Sequence, residues 1–449
     1  LNFVEQCRKI ISIDTTPTSS TVELVEYLAT LATDFGLHAE ILREAQNGIS
    51  QANIIVRLDP YKPGDREFLL QTHLDTVDSD NFSLWKKNDF NPFEATIDDG
   101  KIYGLGAADV KLDFLCKLYV LKNLKDKKIG ALKPVLIGTF GEETGMQGAL
   151  KLIRKNKINA QYVVISEVTD LKIVNAAKGF AVVEIKIPIS AEERSYKENR
   201  LQLESVSTET KLFSGKSSHS SNPQLGDNAI QKMLEFLWKM PDNVVLVDVD
   251  GGTRFNMIPN QAMIELDFTT KVQDLVIAKL KKIYEVLLTV EQDMKKFVDI
   301  DFEPKHSTLS IGLIRMFDDH IKIGGSCRVL PNITQEQYEE WMKRIEGVCK
   351  EMGAQFLITD YKKPYRTAEN SVLIKRAQSV LEKMGLDSKC RTLASTNEAS
   401  LFSRLGIECI CIGAGIREEN VHTPSEHVKI EDLEKVMKFY QQLVERFCL

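Results

Sequence analysis

The chain has no uninterrupted apolar stretch near the ~20 residues that a membrane-spanning helix requires, although 43% of its 449 residues are hydrophobic. It also lacks a strong excess of either charge. Its 58 Lys and Arg stand against 64 Asp and Glu, a net charge of -6 with both signs spread along the chain. Neither a nucleic acid nor an anionic membrane is therefore expected as a partner, since each would call for a basic face. There is no CxxC pair among the eight cysteines, no internal repeat and no low-complexity segment. Most cysteines fall in apolar periodic segments, where a free thiol behaves as a small buried hydrophobe, and a chain this long needs no disulfide staples. Reduced thiols and a cytoplasmic location are the expectation. Residues 1–11 contain Glu5, Arg8 and Lys9 and read as an amphipathic helix, not a signal peptide. The first residue is Leu1, which leaves a removed leader open.

What is present is a chain longer than one hydrophobic core usually organises, so two domains are expected. Helical periods at 22–35 and 112–124 alternate with short continuous apolar runs at 68–70, 135–137 and 162–165. Such runs, separated by helices, indicate strands buried on both faces of a mostly parallel sheet. The pattern returns near the end, with helices at 372–384 and 430–446 and a strand at 408–412. The middle differs: half-exposed strands at 179–189 and 258–268 and helices at 228–238 and 335–352 suggest a separate α+β unit. We place it as an insertion at 180–363, between host segments 1–179 and 364–449. Within it, 190–209 reads as a polar loop and 272–297 as an additional long helix.

The chemistry lies just beyond the buried strands. His73-Leu74-Asp75 follows the first, Gly141-Glu142-Glu143 the second, Glu167 the third, and a Gly-rich loop leading to His422 the fourth. Ligands of open α/β sheets bind beyond the carboxyl ends of the strands. Asp109, after the paired glycines Gly104 and Gly106, should sit near the start of the next helix. Each of these residues alone is a common solvated or structural side chain; their joint placement is not common. Two histidines (His73, His422) with three carboxylates (Asp109, Glu143, Glu167) suit zinc, which accepts nitrogen and oxygen ligands. Two Zn2+ carry four charges, offset by three carboxylates and one hydroxide. Asp75 can accept a hydrogen bond from the His73 ring nitrogen that is not on the metal, which would fix the tautomer.

Together THLDTV at 72–77, YGLGAADVK at 103–111, GEETG at 141–145, SEVT at 166–169, GKSSHSSNP at 215–223 and HTPSEHV at 422–428 are the motifs that carry a resemblance. The chain is similar to the co-catalytic zinc family of acetylornithine deacetylase, succinyl-diaminopimelate desuccinylase, aminoacylase and glutamate carboxypeptidase. The resemblance implies an α/β catalytic domain with a mixed, mostly parallel sheet flanked by helices, and an inserted α+β ferredoxin-like lid that carries a homodimer contact. It implies two Zn2+ per chain, with Co2+ or Mn2+ as substitutes. Asp109 would bridge them, His73 and Glu167 would complete one shell, and Glu143 and His422 the other. Glu142 would be the general base, and His219 would stabilise an oxyanion, in its own active site or a partner's. Asn256 and Arg328 would hold a substrate carboxylate. The implied substrates are N-acyl amino acids or short peptides.

The chain departs from the family pattern at Leu112, where Gly often follows the lysine, and at Val168, where Pro often follows the glutamate. A third departure is at Asn397-Glu398, in a segment that often contains Asp. A glutamate at 167 resembles the deacylase and carboxypeptidase branch, an aspartate the dipeptidase branch. A dipeptidase or aminopeptidase, and a binding protein that kept the fold without catalysis, are the alternatives.

Overall fold

The apolar runs become the centre of a nine-stranded mixed sheet whose parallel strands end side by side. In this computed structural model, which describes residues 1–200, 207–241, 244–268 and 275–449, internal contacts divide the chain into two units. The first comprises Leu1–Ala176, Tyr365–Thr392 and Asn397–Leu449, the second Ala177–Pro364 and Leu393–Thr396.

In the first unit the strands run in the order His38–Gln46, Ile49–Arg57, Leu132–Thr139, Arg66–His73, Ala160–Ile165, Glu408–Cys411, Val174–Ala177 and Tyr365–Arg366, with Arg391–Leu393 branching from Val174–Ala177. The four from Leu132–Thr139 to Glu408–Cys411 are mutually parallel, and the Ile49–Arg57 and Val174–Ala177 neighbours are antiparallel. One row of side chains, Leu136, Leu70, Val164 and Ile410, crosses all four parallel strands in register. Each of these is fully buried, and burying such a side chain contributes about 1.5–3 kcal/mol. A one-residue slip would turn the whole row to the opposite face, so this row fixes which residues follow each strand at the carboxyl edge.

Helix Lys111–Leu124 lies on this sheet beside Ile430–Cys448. It carries two lysines with no exposed surface. Lys111 donates to the Ile13 carbonyl (3.1 Å). Lys117 donates to the Gln71 carbonyl (2.7 Å) and stands 3.3 Å from Asp113, one turn earlier. The Tyr440 hydroxyl lies 2.8 Å from the same Asp113 carboxylate. Burial pulls Lys117 down to about 8, against the pull of Asp113. A buried ammonium is tolerable only when so paired, and this one ties the ends of two ligand-bearing strands to one helix.

The second unit is α+β with a seven-stranded, wholly antiparallel sheet. A single ferredoxin-like repeat has four strands, so the sheet is longer than the sequence suggested. The polar segment read as a loop at 190–209 holds helix Ala191–Asn199 and the start of strand Ser207–Ser214; residues 201–206 of that reading lie outside the described residues. The helix forms because Ser190 caps it by accepting the Glu193 N–H (3.0 Å), while the buried Glu193 carboxylate accepts the Val276 N–H (2.8 Å). The additional long helix spans Val276–Met294; its expected start at 272–274 is likewise outside the described residues. All eight cysteines are free, seven of them buried. Among the described residues no helix is long and apolar enough to cross a membrane.

Replacing Lys117 with Met leaves Asp113 buried without its cation, and is expected to lower unfolding stability by about 3–5 kcal/mol. Urea denaturation reads this, and the double variant Asp113→Asn with Lys117→Met should recover much of the loss. An unchanged midpoint for Lys117→Met would show that the pair carries no weight.

Candidate metal centre

Each expected metal-binding residue lies within the first unit. His73 ends one parallel strand, Glu142 and Glu143 lie in the turn after Thr139, Glu167 follows Ile165, and His422 follows Cys411 by way of the Gly413–Gly415 turn. Asp109 precedes helix Lys111–Leu124 by two residues, and the Asp109–Val110 peptide is cis. The Asp109 carboxylate stands between the two histidines. Its Oδ1 is 3.2 Å from His73 Nε2, and its Oδ2 is 3.3 Å from His422 Nε2. His422 Nε2 is also 3.1 Å from Glu143 Oε1. Ligand atoms of His73, Asp109 and Glu143 all fall within 4.8 Å of one another. Glu167 is buried beside them, with Oε2 accepting from Arg417 Nη2 at 2.7 Å.

This is a surplus of carboxylates at low exposure, and its electrostatics report the crowding. Burial and the Glu143 charge push Glu142 well above the usual carboxylate range. Burial raises Glu167 to about 7, with Arg417 pulling it down. His422 is driven the other way: burial opposes its charge, yet hydrogen bonds to Asp109 and Glu143 lift it to about 11. Two imidazole nitrogens interleaved with carboxylate oxygens form the donor set that a small divalent cation such as zinc takes, and cations would relieve this repulsion. The residues fit a metal centre.

Asp75 differs from expectation. The His73 Nδ1 partner is the Asp75 backbone carbonyl (3.1 Å), while the Asp75 carboxylate lies 3.7 Å away. That carboxylate instead accepts the consecutive N–H groups of Glu142 and Glu143, each at 3.0 Å. Two adjacent amide donors hold it more firmly than one ring proton would, so Asp75 braces the acidic turn. Burial still raises its carboxyl to about 6, against the pull of His73.

Three residues were not singled out from sequence. Glu426 accepts the Ala108 and Asp109 N–H groups (3.0 and 3.1 Å) and so braces Asp109 as Asp75 braces Glu143. Its place in HTPSEHV was the available signal. Arg417, in the loop before His422, brings a guanidinium to Glu167. Glu398 accepts the Thr139 hydroxyl (2.9 Å) and Gln71 Nε2 beneath the strand ends, and burial raises it to about 8. A position noted only as a departure from pattern is thus a buried structural acid.

The remaining expected residues lie in the second unit. His219 is exposed on the two-residue strand Ser218–His219; its Nδ1 lies 2.7 Å from the Ser221 hydroxyl and 3.2 Å from the Ser221 backbone nitrogen. The Asn256 carbonyl accepts the Ser220 N–H (2.9 Å). Arg328 is buried with its guanidinium 4.2 Å over the Phe180 ring, and its Nε has no partner among the described residues.

Comparison with known proteins places the chain among metallohydrolases. The family model of peptidase family M20/M25/M40 matches residues 69–446. The acetylornithine deacetylase of Pasteurella multocida (strain Pm70) is 24% identical, over 97% of this chain and 94% of its own. That of Buchnera aphidicola subsp. Acyrthosiphon pisum (strain 5A) is 35% identical over 38% of this chain and 36% of its own. Among solved structures, the aminoacylhistidine dipeptidase of Vibrio alginolyticus superposes with a TM-score of 0.65 at 18% identity, covering 99% of this chain and 96% of that one. The metallo-carboxypeptidase Sso-CP2 of Sulfolobus solfataricus gives 0.63 at 19%, covering 99% of both.

A chelator is expected to lower the thermal midpoint, and a divalent metal to restore it. Free ion at a hundredfold over Kd contributes about 2.7 kcal/mol per site. Scanning fluorimetry reads the shift, and a midpoint indifferent to both additions would exclude a metal held at His73, Asp109 and Glu143.

Proposed function

Because the chain belongs to peptidase family M20/M25/M40 and is a hydrolase of that family, we propose that it cleaves the amide bond of an N-acyl amino acid or small peptide with a free carboxylate, using two zinc ions. The observation that carries this reading is Asp109, one oxygen toward each histidine, with Glu142 and Glu143 on a single braced turn. His73 and Glu167 would hold one ion, Glu143 and His422 the other, and Asp109 would bridge them. When bound, such ions polarise a carbonyl and lower the pKa of water toward 7.

The side chains divide the remaining work. Glu142, crowded by like charge until cations are present, takes a proton from the attacking water and passes it to the leaving amine nitrogen. Its backbone is pinned by Asp75, so the carboxyl swings about a fixed point. His219 donates to the developing oxyanion, an interaction worth about 2.7–4 kcal/mol in the transition state. Arg328 grips the substrate carboxylate with a guanidinium whose burial lowers it to about 10 yet leaves it charged at neutral pH. Stacking over Phe180 holds its plane, which a lysine could not exploit. The similarity to acetylornithine deacetylases and the glutamate at 167 favour deacylation over dipeptide cleavage.

Glu142→Ala is expected to lose nearly all turnover while still binding two metal ions per chain, read by metal analysis beside initial rates. Retained turnover would remove Glu142 as the base. Acetylated amino acids, succinylated diamino acids and dipeptides assayed side by side with zinc test the substrate class. Faster cleavage of dipeptides would overturn the deacylase reading.

A further inference from the structure

Three neighbouring parallel strands of the first unit, Arg66–His73, Ala160–Ile165 and Glu408–Cys411, stop pairing with one another at a single level. Their last register pairs are Gln71 with Ile165 and Cys411 with Ile165. The Ser166 N–H on the Gln71 carbonyl (2.9 Å) and the Ile412 N–H on the Ile165 carbonyl (3.0 Å) close the ladder. Just beyond, the chain delivers His73 and Glu167, and the Gly413–Gly415 turn sets off toward His422. Past this level the ladder between the three strands no longer sets their spacing.

Side chains take over there. The Thr72 and Ser166 hydroxyls lie 2.7 Å apart across the gap. Lys117 Nζ donates to both, at 3.3 Å to Thr72, besides its bond to the Gln71 carbonyl. Asp113 Oδ2 accepts the Ser166 hydroxyl, stands 3.3 Å from Lys117 Nζ and lies 2.8 Å from the Tyr440 hydroxyl. The Tyr440 oxygen is in turn 2.7 Å from the Ile412 carbonyl. One carboxylate oxygen is thus linked to the residue before His73, the residue before Glu167 and the residue before the Gly413 turn. It sits on the helix that begins just after Asp109. All five side chains are buried.

Stability does not account for this arrangement. A well-packed apolar pair of similar volume is commonly as stable as a buried ion pair, or more so, and most other buried positions of the same helix are Leu, Phe, Val or Cys. Apolar side chains could fill the space that Asp113 and Lys117 take. They could not hold two hydroxyls and a carbonyl in fixed directions, because burial of apolar surface is non-directional and hydrogen bonds are not. A fully connected buried network specifies one arrangement of the segments it joins. The segments joined here are those that carry the metal-binding side chains.

We infer that Asp113 and Lys117 are positioning residues. Through Ser166, Thr72 and Tyr440 they set how far His73, Glu167 and the turn toward His422 stand from one another, and so how tightly the centre holds its ions. The inference rests on the metal-binding reading of that centre. Zinc affinity is read on the full chain by competition with a chromophoric chelator, and fold stability by the urea midpoint. In the double variant Asp113→Asn with Lys117→Met the midpoint should return toward the wild-type value. Zinc should nonetheless bind about tenfold more weakly, as when groups that orient metal ligands are lost. Thr72→Val keeps the shape of the side chain and drops one hydroxyl; zinc should weaken several-fold, and Thr72→Ser, which keeps the hydroxyl, should bind as wild type does. If either the double variant or Thr72→Val holds zinc as tightly as wild type, the inference is overturned and the metal reading stands. Zinc affinity that merely follows the urea midpoint across the variants makes the network a stability device and overturns it as well. A wild-type chain that binds no zinc overturns both.

Discussion

Everything at the centre depends on holding carboxylates together against their own repulsion. Asp109, Glu142, Glu143 and Glu167 approach from three different segments into low-exposure space, where like charges repel far more strongly than in water. Side-chain ion pairs meet only part of this demand: Arg417 answers Glu167, and the two histidines answer Asp109 and Glu143. The rest is met by the main chain. Asp75 holds the amides of 142 and 143, and Glu426 holds those of 108 and 109. The acidic groups are placed by backbones that cannot move apart.

That arrangement in turn requires the sheet. Parallel strands in register end at one level, and the row Leu136, Leu70, Val164 and Ile410 sets the level. Lys117 then ties the Gln71 carbonyl to the helix that begins just after Asp109. Core packing, one buried cation and two buried acids thus form a single chain of causes leading to the metal-binding side chains.

Much of this was legible in the sequence. Short apolar runs followed by His, Glu or Asp announce strand ends at a rim, because strands buried on both faces leave no other reason for a polar stop. His73, Asp109, Glu143 and His422 come together accordingly, with Glu167 beside them. What failed was orientation: Asp75 lies two residues past His73, and spacing alone could not tell a ring partner from an amide partner. Glu426, Glu398 and Arg417 were hidden because they support other residues, and such support depends on contacts between segments hundreds of positions apart.

The two bracing carboxylates have one more consequence. Asp75 and Glu426 clasp peptide nitrogens rather than imidazole protons, so their grip does not run through a ring proton that an ion would displace. The acidic loops are thus held by the fold's own hydrogen bonds, and the entropy of ordering them is met when the chain folds.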